Sequence, residues 1–267
     1  MFDKFDKFAT FDMFYIMAIT IFTIGLLFGS FLNSFIWRYR KNILETIWNS
    51  RSICPACGHA LSPNDLVPLF SFLVLGGKCR YCKSPISWQY PMVELFFGLL
   101  SFLIFWKFGL EFSFIFYLII GFLLTALMVI DILDGILPNG LIVITIFVWL
   151  LYMIFTKANV YDWTNVVFAA LIGFGFFLSI WLITLGKGMG VGDIKLALLL
   201  GLLAGIPHIY YIIFFAFILG ALYVLPLLLL GKSKWKNPIP FGPFLILSYF
   251  LMLFAGNQIQ LVFLKIF

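Results

Sequence analysis

Eight stretches of the chain are apolar on every side, rather than along one helical stripe or on alternate residues. They run at about 13–37, 91–107, 112–132, 141–156, 165–185, 194–206, 208–231 and 241–264. A helix that is hydrophobic all round lies in lipid or in a protein core. Membrane-spanning strands would instead alternate apolar and polar residues. The pattern therefore predicts an all-α polytopic membrane protein with about eight transmembrane helices. The fourth and sixth segments are short, as expected where a functional loop dips into the membrane edge. The one sizeable polar stretch, 38–90, lies between the first and second segments and predicts a small loop domain outside the bilayer.

Composition agrees with this reading. Of the 267 residues, 64% are hydrophobic and 10% are charged, and the mean hydropathy is +1.12. Soluble domains are roughly 45–50% apolar and about 25% charged. So much apolar surface excludes a soluble enzyme, a disordered chain and a disulfide scaffold. The net charge of +6 does not point to nucleic acid, because the basic residues sit between apolar segments and report topology instead. Arg38, Arg40, Lys41, Arg51, Lys78, Arg80, Lys83, Lys187, Lys195, Lys232, Lys234 and Lys236 fall on one side. Lys4, Lys7, Lys107, Lys157 and Lys265 fall on the other. The richer side is expected to be cytoplasmic, with both termini outside.

The polar loop holds all four cysteines, as the pairs Cys54/Cys57 and Cys79/Cys82. A C-x-x-C turn can aim two thiolates at one point, and two such turns make a closed tetrahedral site that suits structural zinc. On the cytoplasmic side thiols stay reduced, which disfavours disulfides. A loop this small cannot be stabilised by burial alone, and metal is a usual remedy. Free or redox-active thiols are the other reading. His59 is read as a bystander, because four cysteines already complete the site.

Four of the 11 acidic residues lie in or against apolar segments: Glu94, Asp131, Asp134 and Asp193. Ionisable groups at such depth are costly and are functional candidates by default. Asp131 closes the third segment, and Pro138 and Gly140 mark a turn just beyond it. Asp193 follows Gly188, Gly190 and Gly192, whose spacing allows close backbone approach. By the orientation above, both aspartates sit at the cytoplasmic boundary. Two carboxylates that share a water suit peptide hydrolysis, one acting as base on the water and the other as acid toward the carbonyl. Helix-capping or ion-paired aspartates are the competing reading. An ion-coupled transporter, which would place its acids at mid-bilayer within inverted repeats, is a third.

These residues carry a resemblance that runs along most of the chain. The motifs are GLLFGSFLNSFIWR (Gly25 to Arg38), RSICPACGHAL, DLVPLFSFLVLGGKCRYC, ISWQYPMVEL, IDILDGILPN, GMGVGDIKLAL and IPFGPFL (Ile239 to Leu245). In this order they resemble the type IV prepilin peptidases, membrane aspartic proteases of the Gly-x-Gly-Asp class. The resemblance implies that Asp131 and Asp193 are the catalytic pair and that Cys54, Cys57, Cys79 and Cys82 hold zinc. It also implies cleavage of the leader of prepilins and pseudopilins at the cytoplasmic face, followed by N-methylation from S-adenosylmethionine. A specialised relative that has lost methylation is the alternative. Gly190 and Gly192 are expected to support the site, with Lys195, Asp134 and Glu94 in its surroundings; Glu94 and Lys195 fit either activity. Asn139 stands where many relatives carry aspartate. The expected organisation is an N-terminal lead and first span (1–37), a zinc domain (38–90) and a seven-span peptidase domain (91–267). The bacterial inner membrane is the expected location.

Overall fold

The structure is a computed structural model that describes residues 3–47, 51–230 and 239–266. Lys232, Lys234 and Lys236, part of the topology reading, lie outside the described residues. Eight long helices occupy the eight predicted segments: α1 (Asp3–Arg40), then, after a five-residue helix α2 (Phe70–Val74), α3 (Gln89–Phe108), α4 (Phe112–Asp134), α5 (Asn139–Phe155), α6 (Val160–Ile183), α7 (Val191–Ala204), α8 (His208–Leu229) and α9 (Gly242–Ile266). Six of them are long and apolar enough to cross a membrane. The exceptions are α5, with 17 residues, and α7, with 14. At about 1.5 Å per residue these reach only about 25 and 21 Å, less than the roughly 30 Å hydrocarbon core. The expected count of eight is therefore approximate: six full-length spans and the two short helices foreseen for the fourth and sixth segments.

The chain divides into two compact units, residues 1–122 and 123–267, and the division falls within α4. In the first unit α1 packs along α3. The contact works because small residues line it. A Cβ on Gly29 of α1 would stand 2.7 Å from the Cα of Glu94, and one on Gly25 would stand 2.6 Å from Ser101 Oγ. The loop between these helices carries the cysteines.

In the second unit α7 is central, touching α5, α6, α8 and α9. Its contact with α6 is equally close: a Cβ on Gly201 would lie 2.5 Å from the Cα of Ala170. Leu196, Leu199 and Leu200 of α7 are fully buried. This short helix is thus held on most sides, and its N-terminus is fixed relative to α5 and α9.

Candidate functional site

The cysteine module is built from two matching turns. One runs from Ile53 to Ala60 and the other from Lys78 to Pro85, each closed by an antiparallel bridge between those end residues. In the first, Cys54 N–H donates to the His59 carbonyl (2.9 Å) and Gly58 N–H donates to the Cys54 carbonyl (2.9 Å). The second repeats both bonds, with Cys79 N–H to the Ser84 carbonyl (2.8 Å) and Lys83 N–H to the Cys79 carbonyl (3.0 Å). The residue after the second cysteine turns left-handed in both, at φ +71° for Gly58 and +60° for Lys83. Glycine takes that conformation freely, whereas lysine there costs about 1 kcal/mol. The duplicated C-x-x-C was the sequence signal for this repeat.

The four Sγ atoms lie within 4.8 Å of one another, and Cys54 Sγ is 3.9 Å from Cys82 Sγ. Tetrahedral zinc–thiolate bonds of about 2.3 Å imply sulfur–sulfur edges of about 3.8 Å, so the donor set fits the metal. None of the four is in a disulfide; Cys54 and Cys79 are buried, and Cys57 and Cys82 are exposed. His59 lies outside the thiol cluster and stacks on Tyr81 at 3.7 Å between ring centroids. The Ser84 hydroxyl and amide beside Cys82 pull its thiol down to about 6. Cys57 goes the other way, to about 11: the His59 amide lowers it, but desolvation and its neighbours Cys54 and Cys82 prevail. A divalent cation reverses that opposition by holding all four as thiolates.

A polar tie that the sequence reading passed over joins the module. The Asp65 side chain, almost fully buried, accepts from Arg80 Nε at 2.6 Å, from Ser62 N–H at 3.0 Å and from Ser62 Oγ at 2.8 Å. Burial alone would raise this carboxyl, but the Arg80 and Ser62 bonds outweigh it and hold the group at about 2.

The aspartates belong to the second unit. Asp131 lies in the last turn of α4 and is 4% exposed, and Asp193 lies in the first turn of α7 and is 9% exposed. Gly135, at φ +66°, ends α4 by donating its N–H to the Asp131 carbonyl at 2.9 Å, a C-terminal reversal that glycine permits. The chain turns back, and Pro138 caps α5. Gly190 caps α7, where the Asp193 N–H reaches its carbonyl at 3.2 Å. A carboxylate in a first turn is favoured by the unpaired N–H groups there.

Two contacts lock the two segments together. Leu137 packs against Gly192, where a Cβ would meet it at 3.2 Å. Lys195 Nζ donates to Asn139 Oδ1 at 2.9 Å. The start of α9 closes the other side: a Cβ on Gly242 would stand 2.5 Å from Asp131 Oδ2 and 3.4 Å from Leu196 Cδ2. Asp131 Oδ2 is buried with no hydrogen-bond partner among the described residues. Gly242 lay inside the quoted IPFGPFL motif but was not singled out as a site residue; its Gly-Pro pair at a helix start was the available signal. Asp134 is exposed at the end of α4. Glu94 belongs to the first unit, where its Oε2 accepts from Leu69 N–H at 2.9 Å.

Comparison with known proteins places the chain in a family. Residues 23–108 match the family described as the bacterial peptidase A24 N-terminal domain, and residues 117–225 match the type IV leader peptidase family. Among curated relatives, a prepilin leader peptidase/N-methyltransferase of Pseudomonas aeruginosa is 32% identical over 271 residues, covering 91% of this chain and 91% of the relative. Relatives of the same name from Vibrio cholerae, 33% identical over 90% of this chain and 98% of theirs, and from Bacillus subtilis, 31% identical over 93% and 98%, agree. No solved structure matches the chain significantly. With two family matches along its length and relatives above 30% identity over nine-tenths of it, the chain belongs to the type IV leader peptidase family.

Proposed function

We propose that this chain is a membrane aspartic endopeptidase that removes the leader from type IV prepilins and pseudopilins, with Asp131 and Asp193 as its catalytic pair. The observation that carries the reading is that two buried aspartates, at the end of α4 and the start of α7, belong to segments joined by the Leu137–Gly192 and Lys195–Asn139 contacts. Such a pair holds one proton between its members, because two adjacent charges in a low-dielectric site are costly. The ionised carboxylate takes a proton from water as the water oxygen bonds to the scissile carbonyl carbon. The protonated partner donates to the carbonyl oxygen. Collapse of the tetrahedral species breaks the C–N bond, and the amine leaves with a proton passed back from the pair. Gly192 lets Leu137 pack close beside Asp193, and Gly190 leaves room there for extended substrate backbone. Lys195, through Asn139, holds the α4–α5 turn in register. The work is done at the cytoplasmic membrane face, the side with most basic residues.

The relatives' shared name supports a second activity, N-methylation of the new amino terminus. S-adenosylmethionine supplies an electrophilic sulfonium methyl for this. The chain accordingly reads as a lead and first span (1–37), a metal module (38–90) associated with methylation, and a peptidase domain (91–267). Zinc held by Cys54, Cys57, Cys79 and Cys82 folds the module, since a closed four-thiolate site leaves no open position for substrate.

The test is leader cleavage of a purified prepilin by protein reconstituted in lipid, with Asp131→Asn and Asp193→Asn compared with wild type by mass spectrometry. Each variant is expected to leave the leader attached; normal processing by either one overturns the assignment. The same spectra read the added methyl group on the mature terminus, and cleaved but unmethylated product would leave a peptidase alone.

A further inference from the structure

The first unit contains a cavity of about 450 Å³, between the end of α1, the cysteine module and the start of α3. This is within the roughly 300–1,000 Å³ of small-molecule and cofactor sites. Its walls combine aromatic rings with groups of both charges, including Trp37, Tyr90, Arg38, Asn33 and Glu94. We propose that this cavity is the S-adenosylmethionine pocket, with Glu94 facing the cationic part of the ligand, Arg38 its carboxylate and Asn33 its hydrogen-bonding groups. The proposal rests on the methyl-transfer reading above and assigns it a place in the chain.

The polar lining is what argues for such a ligand. Asn33 is 2% exposed. Its amide Nδ2 donates to the Tyr90 carbonyl at 3.0 Å, while Oδ1 is buried with no partner among the described residues. A buried acceptor left unpaired is costly, and a ligand N–H or O–H removes that cost. Glu94, 8% exposed, stands in an otherwise apolar helix turn, where a carboxylate is expensive unless matched by positive charge. Arg38, 4% exposed, is steadied by a hydrogen bond from its Nη1 to Ser34 Oγ. A ligand with a sulfonium, an ammonium, a carboxylate and a purine uses all of these groups. A lipid tail would leave the polar groups unpaired.

The placement also gives the metal module a purpose. Cys54 and Cys79, the two buried cysteines, line the same cavity. Stripping the metal therefore loosens one wall of the pocket.

The test measures binding of S-adenosylhomocysteine, by calorimetry, to the full chain in lipid nanodiscs. Expected is saturable binding by wild type that weakens about tenfold or more in both Asn33→Leu and Glu94→Gln, the scale of a lost buried polar partner. Asn33→Leu should keep its leader cleavage and zinc content, which shows that it is folded; the isosteric Glu94→Gln is the second check. Removal of zinc from wild type should weaken binding as well. If wild type binds and methylates, and both variants bind equally well, the pocket lies elsewhere and the methylation reading survives. If wild type neither binds nor methylates, that reading itself falls.

Discussion

The cysteine module and the aspartate pair are built in opposite ways. The module draws its four ligands from two short turns, each closed by its own bridge and its own pair of backbone hydrogen bonds. The aspartates come from α4 and α7, and only the packing of α7 among its neighbours, together with the Lys195–Asn139 and Leu137–Gly192 contacts, brings their two segments together. A centre made by local turns can be completed by metal, whose binding energy is also folding energy. A centre made by helix packing must be fully formed before it has any chemistry. Damage should accordingly spread differently. Loss of one thiol unmakes a small module, whereas loss of one carboxyl leaves the helices in place and stops only the reaction.

The largest expected effect is at the pair. Asp131→Asn or Asp193→Asn should lower leader cleavage by about 10³-fold or more, as for catalytic groups that act as a unit. Helix content should be unchanged by circular dichroism, and zinc content should stay at the wild-type level. A variant that also lost zinc would break the contrast. Next is Cys79→Ser, for which metal analysis should fall from about one zinc per chain to nearly none. Proteolysis should then cut first between residues 51 and 90. An intact loop without metal would show that the turns hold by themselves.

A third effect probes the neighbour of Asp131. Gly242→Ala places a Cβ 2.5 Å from Asp131 Oδ2. Relieving that clash takes a shift of about 1 Å, which is expected to reduce cleavage by about 10²-fold, with zinc content unaffected. Unchanged cleavage would show that α9 does not hold the carboxyl in place.

The smallest effect is at Asp65. Zinc affinity, measured against a competing chelator, should fall by about tenfold in Asp65→Asn, as for other groups that support a metal site from behind. This difference should be the same at about pH 6 and about pH 8. The folded carboxyl is held at about 2, below its ordinary 3.8. Its contribution is therefore complete above the ordinary value and lost only as pH falls toward 2. A difference that changed between pH 6 and 8 would mean that another group carries the effect.

Much of this was legible in the residues. Segments that are apolar all round predicted all eight long helices and the shortness of α5 and α7, because lipid imposes length and composition on a spanning helix. The spacing of the cysteines predicted the thiol cluster, because a C-x-x-C turn is a local structure. Gly242 and Asn33 were quoted within motifs but not picked out. Neither has chemistry of its own: Gly242 matters because its missing side chain admits Asp131 Oδ2, and Asn33 because burial leaves its Oδ1 unpaired. Asp65 looked like one more loop acid until the fold brought Arg80 to it.

The sequence by itself determined what is local or solvent-imposed: helix count and length, the place of the polar loop, the ligand set, and the short roster of acids in apolar surroundings. Only the tertiary structure decided what surrounds each of those acids. Asp131 and Glu94 both stand in apolar helices, and the turn after Asp131 marks it out in the sequence, but only the fold shows Leu137 and Asn139 beyond it held against α7 while Glu94 accepts the Leu69 N–H. That distinction comes from small residues at helix contacts, which let α7 settle against α6 and α1 against α3 at a depth that no one-dimensional pattern records.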